Sequence, residues 1–168
     1  EAKQYEDSSL FYAVRNKEEF KDKNISIFGG GDSALDWALD LSKYSNITLI
    51  HRRNEFRGAP HTLNEIKKLS DKGKLSIKTS CQLEAIEGKN QIQSITVKFE
   101  DGKVEKIKTD IVLSFFGLIM KLGPIADWGL NMDKKTINVN PENFETNKKG
   151  IFAVGDICNY SGKLKLIL

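Results

Sequence analysis

Hydrophobic positions along the chain change their spacing several times, and each change predicts a new element. Asn24 to Phe28 is a short run of β-formers ending in Gly29-Gly30-Gly31. Directly afterwards Ala34, Ala38 and Leu41 recur at i, i+4 and i+7, with Leu35 and Leu39 alongside, which predicts a helix with one buried stripe. Asp32 or Ser33 can cap its start, because either side chain accepts from the free N–H groups of a first turn. Asn46 to Ile50 is a second run rich in β-branched residues. Strand, glycine turn, helix and strand thus occupy residues 24–51, and a crossover of that length is right-handed and implies a parallel sheet. Residues 1–23 are polar apart from Leu10-Phe11-Tyr12-Ala13-Val14 and read as a lead-in whose apolar patch packs on the domain. Downstream, Pro60 opens a second helix with Leu63, Ile66 and Leu69 on one face, and Lys72-Gly73-Lys74 ends it.

From residue 75 the period falls to two. Leu75-Ser76-Ile77 alternates, as does Ile92 to Phe99, and Asp101-Gly102 separates that run from Val104 to Ile107 as a hairpin signal. Ile111 to Phe116 then reads as a fully buried strand, so residues 75–116 are expected to make an antiparallel excursion that returns to the parallel sheet. After Gly117 short runs are punctuated by Pro124, Gly129, Asn131, Asn138 and Asn140-Pro141, and Ile151 to Val154 is expected as a last strand ending in Gly155-Asp156. The boundary near Gly117-Leu118 predicts domains over 1–117 and 118–168. The fold class is α/β: a parallel sheet flanked by helices, with a three-stranded antiparallel crossover.

Composition narrows the class. Hydrophobic residues make up 39% of the 168, too apolar for disorder. No apolar run reaches the roughly 20 residues of a membrane helix; the longest, Ile111 to Met120, is broken by Ser114 and Gly117. A net charge of +3, with scattered basic residues, is too mild to point to a nucleic-acid partner. The two cysteines, Cys81 and Cys158, form neither a metal-ligand spacing nor a disulfide framework, so reduced thiols and a cytoplasmic setting are expected. A start at Glu1 and an apolar finish through Lys163-Leu164-Lys165-Leu166-Ile167-Leu168 suggest a piece of a longer protein.

Two motifs carry chemistry. Gly29-Gly30-Gly31-Asp32-Ser33-Ala34 is a G-x-G-x-x-A pattern that closes a strand and opens a helix, the context in which it signals dinucleotide binding. Gly29 allows the tight turn, Gly31 lets a pyrophosphate approach the backbone, and Ala34 lets helix and strand pack closely. The helix N-terminus offers free N–H groups and partial positive charge to the phosphates. About 20 residues on, where an NAD site places a carboxylate for the ribose 2′-OH, the chain instead has His51-Arg52-Arg53 and then Arg57. Guanidinium forks bond a phosphate bidentately, so this cluster favours NADP with its 2′-phosphate. No Ser-His-Asp order, paired-carboxylate site, P-loop lysine or zinc spacing is present, so neither catalytic side chains nor a metal are expected.

The run from Gly29 to Ala38, together with His51-Arg52-Arg53-Asn54-Glu55-Phe56-Arg57, resembles the NADP domain of the thioredoxin-reductase-like flavoenzymes, with their Rossmann-like FAD/NAD(P)-binding three-layer fold. Ile151-Phe152-Ala153-Val154-Gly155-Asp156-Ile157 resembles their second FAD motif, which implies that Asp156 contacts the flavin's ribityl chain. Thioredoxin reductases carry a Cys-x-x-Cys before the glycine-rich strand, but Tyr12-Ala13-Val14-Arg15 stands there. Phe115-Phe116-Gly117, Leu122 to Leu130 and Gly155 to Ile167 are instead similar to the ferredoxin/flavodoxin–NADP reductases of thioredoxin-reductase type. That resemblance implies FAD and NADP as cofactors, hydride transfer from NADPH to FAD, ferredoxin or flavodoxin as electron carrier, and a homodimer. It also implies that 1–117 is the NADP-binding domain and 118–168 a truncated returning segment of the FAD-binding domain. A disulfide reductase lacking its dithiol here, and a non-catalytic NADP sensor, are the alternatives. Cys158 reads as a small packed residue, His61 as solvent-facing, Trp37 as packing, and Lys163 and Lys165 as a solvated face.

Overall fold

A computed structural model describes residues 2–117 and 121–163. The chain forms two compact units, Glu1–Gly117 and Leu118–Leu168.

In the first unit the strands are β1 (Leu10–Phe11), β2 (Asn24–Gly29), β3 (Asn46–Ile50), β4 (Leu75–Lys78), β5 (Cys81–Glu87), β6 (Ser94–Phe99), β7 (Val104–Lys108) and β8 (Ile111–Phe115). The helices are α1 (Asp32–Leu41) and α2 (Pro60–Asp71). Strands β1-β8-β2-β3-β4 form one sheet in that order, every pair parallel. Strands β5-β6-β7 form a separate antiparallel sheet. Alternation explains the layering, because successive side chains of a strand point to opposite faces. Ile25 and Ile27 of β2, Ile47 and Leu49 of β3, and Ile111 and Leu113 of β8 pack with Ala34, Leu35, Ala38, Leu41 and Ile66 of the helices. Phe28, Ile50 and Val112 point the other way and pack with Ile92, Ile95, Val97 and Cys81. The parallel sheet is therefore buried on both faces, as its continuous apolar strands require. Helices cover one face and the antiparallel sheet covers the other, the three-layer α/β arrangement.

Several expectations need correction. Leu75–Lys78 does not belong to the antiparallel excursion; it is the parallel edge strand beside β3, with Leu75 buried in the helix-side core. Period-two alternation cannot tell these two fates apart. The chain leaves the parallel sheet at Ser80, whose φ of 52° turns it into β5. β5 itself escaped the pattern, since most of its residues are not buried and a bulge interrupts it between Leu83 and Ala85. The apolar patch of the lead-in does more than pack: Leu10 and Phe11 add β1 to the sheet edge. The cap of α1 is Gly31, and neither Asp32 nor Ser33 supplies a capping hydrogen bond. Phe116, expected inside a buried strand, lies just past the end of β8 and is 74% exposed.

The second unit contains β9 (Met132–Asp133), β10 (Thr136–Asn138) and β11 (Cys158–Asn159), ordered β11-β10-β9. Its small core holds Leu130, Ile137, Ala153 and Cys158. Ile151–Val154 is not a strand; Phe152 makes one isolated bridge to Glu145, only Ala153 is buried, and Phe152 and Val154 are exposed. Lys163 is not a solvated side chain: its Nζ donates to the carbonyls of Cys158 at 2.6 Å and Gly155 at 3.0 Å. Lys165, the apolar finish at 164–168 and Leu118 at the expected boundary lie outside the described residues. No helix among the described residues is long and apolar enough to cross a membrane.

Candidate dinucleotide site

The site is built at the carboxyl ends of β2 and β3, the place where open α/β sheets take ligands. Each glycine of the turn after β2 has its own reason. Gly29 pairs with Phe115 of β8, and a Cβ there would lie 2.7 Å from the Cβ of Ala34 and 2.8 Å from the Phe115 carbonyl oxygen. Helix and neighbouring strand therefore meet over it, and Ala34, fully buried, is the helix side of that contact. At Gly30 a Cβ would fall 2.2 Å from Cε1 of His51. Gly31 has nothing within 4 Å of that position, so the backbone there stands open to a ligand. Its carbonyl accepts from the N–H groups of Ala34 at 3.1 Å and Leu35 at 3.2 Å. With no side-chain cap, the helix start keeps its partial positive charge available at Gly31, Asp32 and the exposed Ser33.

The loop after β3 folds onto this turn. His51 continues the β3 ladder, donating its N–H to Lys78 at 2.9 Å. Its ring stacks on Phe56 with centroids 5.2 Å apart and covers Gly30, while Nε2 is buried with no hydrogen-bond partner among the described residues. Burial lowers the His51 pKa, and Arg52 and Arg57 lower it further against a backbone hydrogen bond at Glu55. Farther along, the Arg57 N–H donates to the Gly30 carbonyl at 2.7 Å and the Ala59 N–H to Oδ1 of Asp32 at 2.7 Å. Gly58 passes so close to α1 that a Cβ would lie 2.1 Å from Cδ1 of Leu35. Arg52, Arg53 and Arg57 are exposed, and no ion pair found among the described residues involves them. Three exposed guanidiniums without carboxylate partners among the described residues, on a loop that meets the glycine turn at Arg57, suit a phosphorylated ligand.

Thus Gly29 to Ala34, His51, Arg52, Arg53 and Arg57 are brought together. Asp156 belongs to the other unit, where it is exposed on the short 3-10 turn Gly155–Ile157. Sequence reasoning missed Phe56, Gly58 and Ala59. An aromatic and a glycine inside an otherwise charged loop were the available signals, since neither is needed in a freely solvated segment. His61 is exposed and Trp37 half-buried against the helix-side core with the Lys17 ammonium over its ring. Cys158 is buried.

The glycine turn between a central parallel strand and α1, with helices on one face and an antiparallel sheet on the other, defines the FAD/NAD(P)-binding α/β class. Solved structures agree: thioredoxin reductase from Lactococcus lactis superposes with a TM-score of 0.81 at 26% identity, over 96% of this chain and 54% of its own. Thioredoxin reductase from T. acidophilum does so with a TM-score of 0.82 at 25% identity, over 94% of this chain and 52% of its own. The family profile described as "Pyridine nucleotide-disulphide oxidoreductase" matches residues 2–155, and the chain belongs to that family. A protein of Pelagibacter ubique named ferredoxin–NADP reductase is 61% identical over all of this chain, which covers 50% of that relative. A ferredoxin–NADP reductase of Bradyrhizobium sp. (strain BTAi1) is 49% identical over 98% of the chain and 48% of its own length. The chain therefore spans about half the length of these curated relatives.

Proposed function

We propose that this chain is the NADPH-binding portion of a flavoprotein oxidoreductase, a ferredoxin–NADP(+) reductase. In this reading residues 1–117 form the NADP-binding domain and 118–168 a returning segment of the FAD-binding domain. The observation that carries it is the seating of the arginine-bearing loop directly on the glycine turn, through Arg57 N–H to the Gly30 carbonyl at 2.7 Å. An uncapped helix start for a diphosphate and an unpaired arginine cluster for a further phosphate are thereby held as one surface. The residues fit NADP: the open backbone at Gly31 and the backbone N–H groups of Asp32 and Ser33 would seat the diphosphate at the helix start, with Gly29, Gly30 and Ala34 shaping the turn beneath it. Arg52, Arg53 and Arg57 would hold the 2′-phosphate by bidentate forks, with His51 bracing the turn as the base of the cofactor site.

In the whole protein Asp156, whose exposed carboxylate makes no hydrogen bond among the described residues, would contact the flavin's ribityl chain; this segment is expected neither to hold FAD by itself nor to be active alone. The preceding Gly155 (φ 78°) leaves its surroundings open to within 4 Å. When bound, FAD would supply the redox chemistry that links two-electron NADPH to a one-electron carrier, ferredoxin or flavodoxin. The chain's own residues bind, orient and neutralise phosphate charge; none is assigned as an acid or base. The names of the relatives support ferredoxin as the carrier, the resemblance supports a homodimer, and the free thiols of Cys81 and Cys158 support a cytoplasmic setting.

A disulfide reductase would need a thiol pair. Tyr12-Ala13-Val14-Arg15 offers none, Cys81 and Cys158 are free and buried, and burial pushes the Cys81 thiol pKa up, away from the reactive thiolate. The whole protein should therefore turn over NADPH with ferredoxin or flavodoxin as acceptor. Turnover with thioredoxin alone, in the same spectrophotometric assay, would overturn the assignment.

A further inference from the structure

Asp32 is the first residue of α1, a position from which an aspartate ordinarily caps the helix or faces the ligand. Here its side chain makes no cap bond. Oδ1 instead accepts the N–H of Ala59, 27 residues away, at 2.7 Å. Ala59 is the N-cap of α2, so this bond closes the far end of the basic loop. The near end is fixed by the sheet ladder, through His51 N–H to the Lys78 carbonyl at 2.9 Å and Cys81 N–H to the His51 carbonyl at 3.3 Å. Between them the loop is held by Arg57 N–H on the Gly30 carbonyl, by a longer bond from Ser80 N–H to the Arg53 carbonyl at 3.4 Å, by Phe56 against His51 and the helix-side core, and by the close pass of Gly58 over Leu35. A Cβ at Gly58 would also lie 3.1 Å from Asp32 Oδ1, so the backbone runs in contact with the carboxylate on its way to Ala59. The charge of Asp32 is unfavourable to a diphosphate bound nearby. Its hydrogen bond is what serves the site.

We propose that Asp32 is a positioning residue for cofactor choice: by holding Ala59 it fastens the loop carrying Arg52, Arg53 and Arg57 to the glycine turn, so that the guanidiniums are preorganised for the 2′-phosphate. The inference rests on the NADP reading above. A loop released from this bond would have to be ordered when ligand binds, and that entropic cost falls on the nucleotide whose phosphate the arginines hold. NADH, seated by the glycine turn alone, is spared it.

The test uses three variants. Asp32→Ala removes the acceptor. Ala59→Pro removes the donor at a φ of −57° that admits proline; its ring carbon, standing where the N–H pointed, displaces the Asp32 carboxylate while the glycine turn keeps its sequence. Asp32→Asn keeps an accepting oxygen and removes the charge. Each is titrated with NADPH and NADH beside the wild-type chain, and amide hydrogen exchange across residues 51–59 is followed without nucleotide. Asp32→Ala and Ala59→Pro should each raise the Kd for NADPH about tenfold, equivalent to about 1.4 kcal/mol, and change that for NADH about twofold or less. Exchange across 52–58 should quicken in both, and Asp32→Asn should restore preference and protection. Should Asp32→Ala fail to fold, Ala59→Pro and Asp32→Asn still decide the matter. Wild-type preference in Ala59→Pro, equal loss of both nucleotides, or an Asp32→Asn that behaves like the alanine variant would overturn the inference. A wild-type chain without preference for NADPH would overturn the NADP reading itself, which separates the two failures.

Discussion

Gly30 and His51 share a volume that only a residue without a Cβ leaves free. The imidazole lies flat against the turn, braced from behind by Phe56. Gly30→Ala should therefore cost about 1–3 kcal/mol by overpacking. Combining it with His51→Ala should recover part of that loss, a coupling visible in denaturant melts of the single and double variants. Independent, additive losses would place the ring elsewhere. The G-x-G-x-x-A pattern identified these glycines from sequence because backbone approach leaves a residue-type signature. It could not assign them individually: the partner of Gly30 is a side chain 21 positions on, and that of Gly29 is a carbonyl of β8. The side chain of Asp32 was misread for the same reason. A carboxylate at a helix start has an obvious local use, and nothing local announces that Ala59 takes it instead.

At the scale of elements, β2 and β8 are tied where they begin. The Asp110 carboxylate accepts the backbone N–H of Asn24 at 2.8 Å and its side-chain amide at 2.7 Å. Burial alone would raise the Asp110 pKa, but these two bonds, with Lys108 and Lys23 nearby, outweigh it and hold the group below the ordinary aspartate value. A carboxyl depressed in the folded state stabilises fully above its unfolded pKa and loses that contribution as pH falls through the folded one. Asp110→Ala should cost about 1–3 kcal/mol at neutral pH. The gap from wild type should close on acidification below the usual aspartate range; a gap constant with pH would show that the carboxylate charge is not involved. Strand pattern made β2, β3 and β8 legible because continuous burial on both faces writes an unbroken apolar run. β4 and β5 were not separable, since half-buried edge strands of either sheet alternate alike and the division falls on the positive φ of Ser80.

For the whole chain, the first unit assembles its helices, parallel sheet and antiparallel sheet around a site that needs residues from 29 to 59, all within that unit. The second unit has a smaller core, and Ile151–Val154 shows how far local pattern reaches: its alternation is real, with Ala153 in and Phe152 and Val154 out, but a strand needs a ladder partner, and alternation does not supply one. Charge was legible in composition only as a mild excess. Its meaning lies in placement, with Arg52, Arg53 and Arg57 on one loop that meets the glycine turn at Arg57 and without carboxylate partners among the described residues. Titration of NADPH and NADH into the wild-type chain and the Arg52→Ala/Arg53→Ala variant puts that placement to the test. Wild type should favour NADPH by about tenfold or more, and the double variant should lose about 10- to 100-fold in NADPH affinity with little change for NADH. Equal affinities in wild type, or equal losses for both nucleotides in the variant, would contradict a phosphate-selective arginine loop.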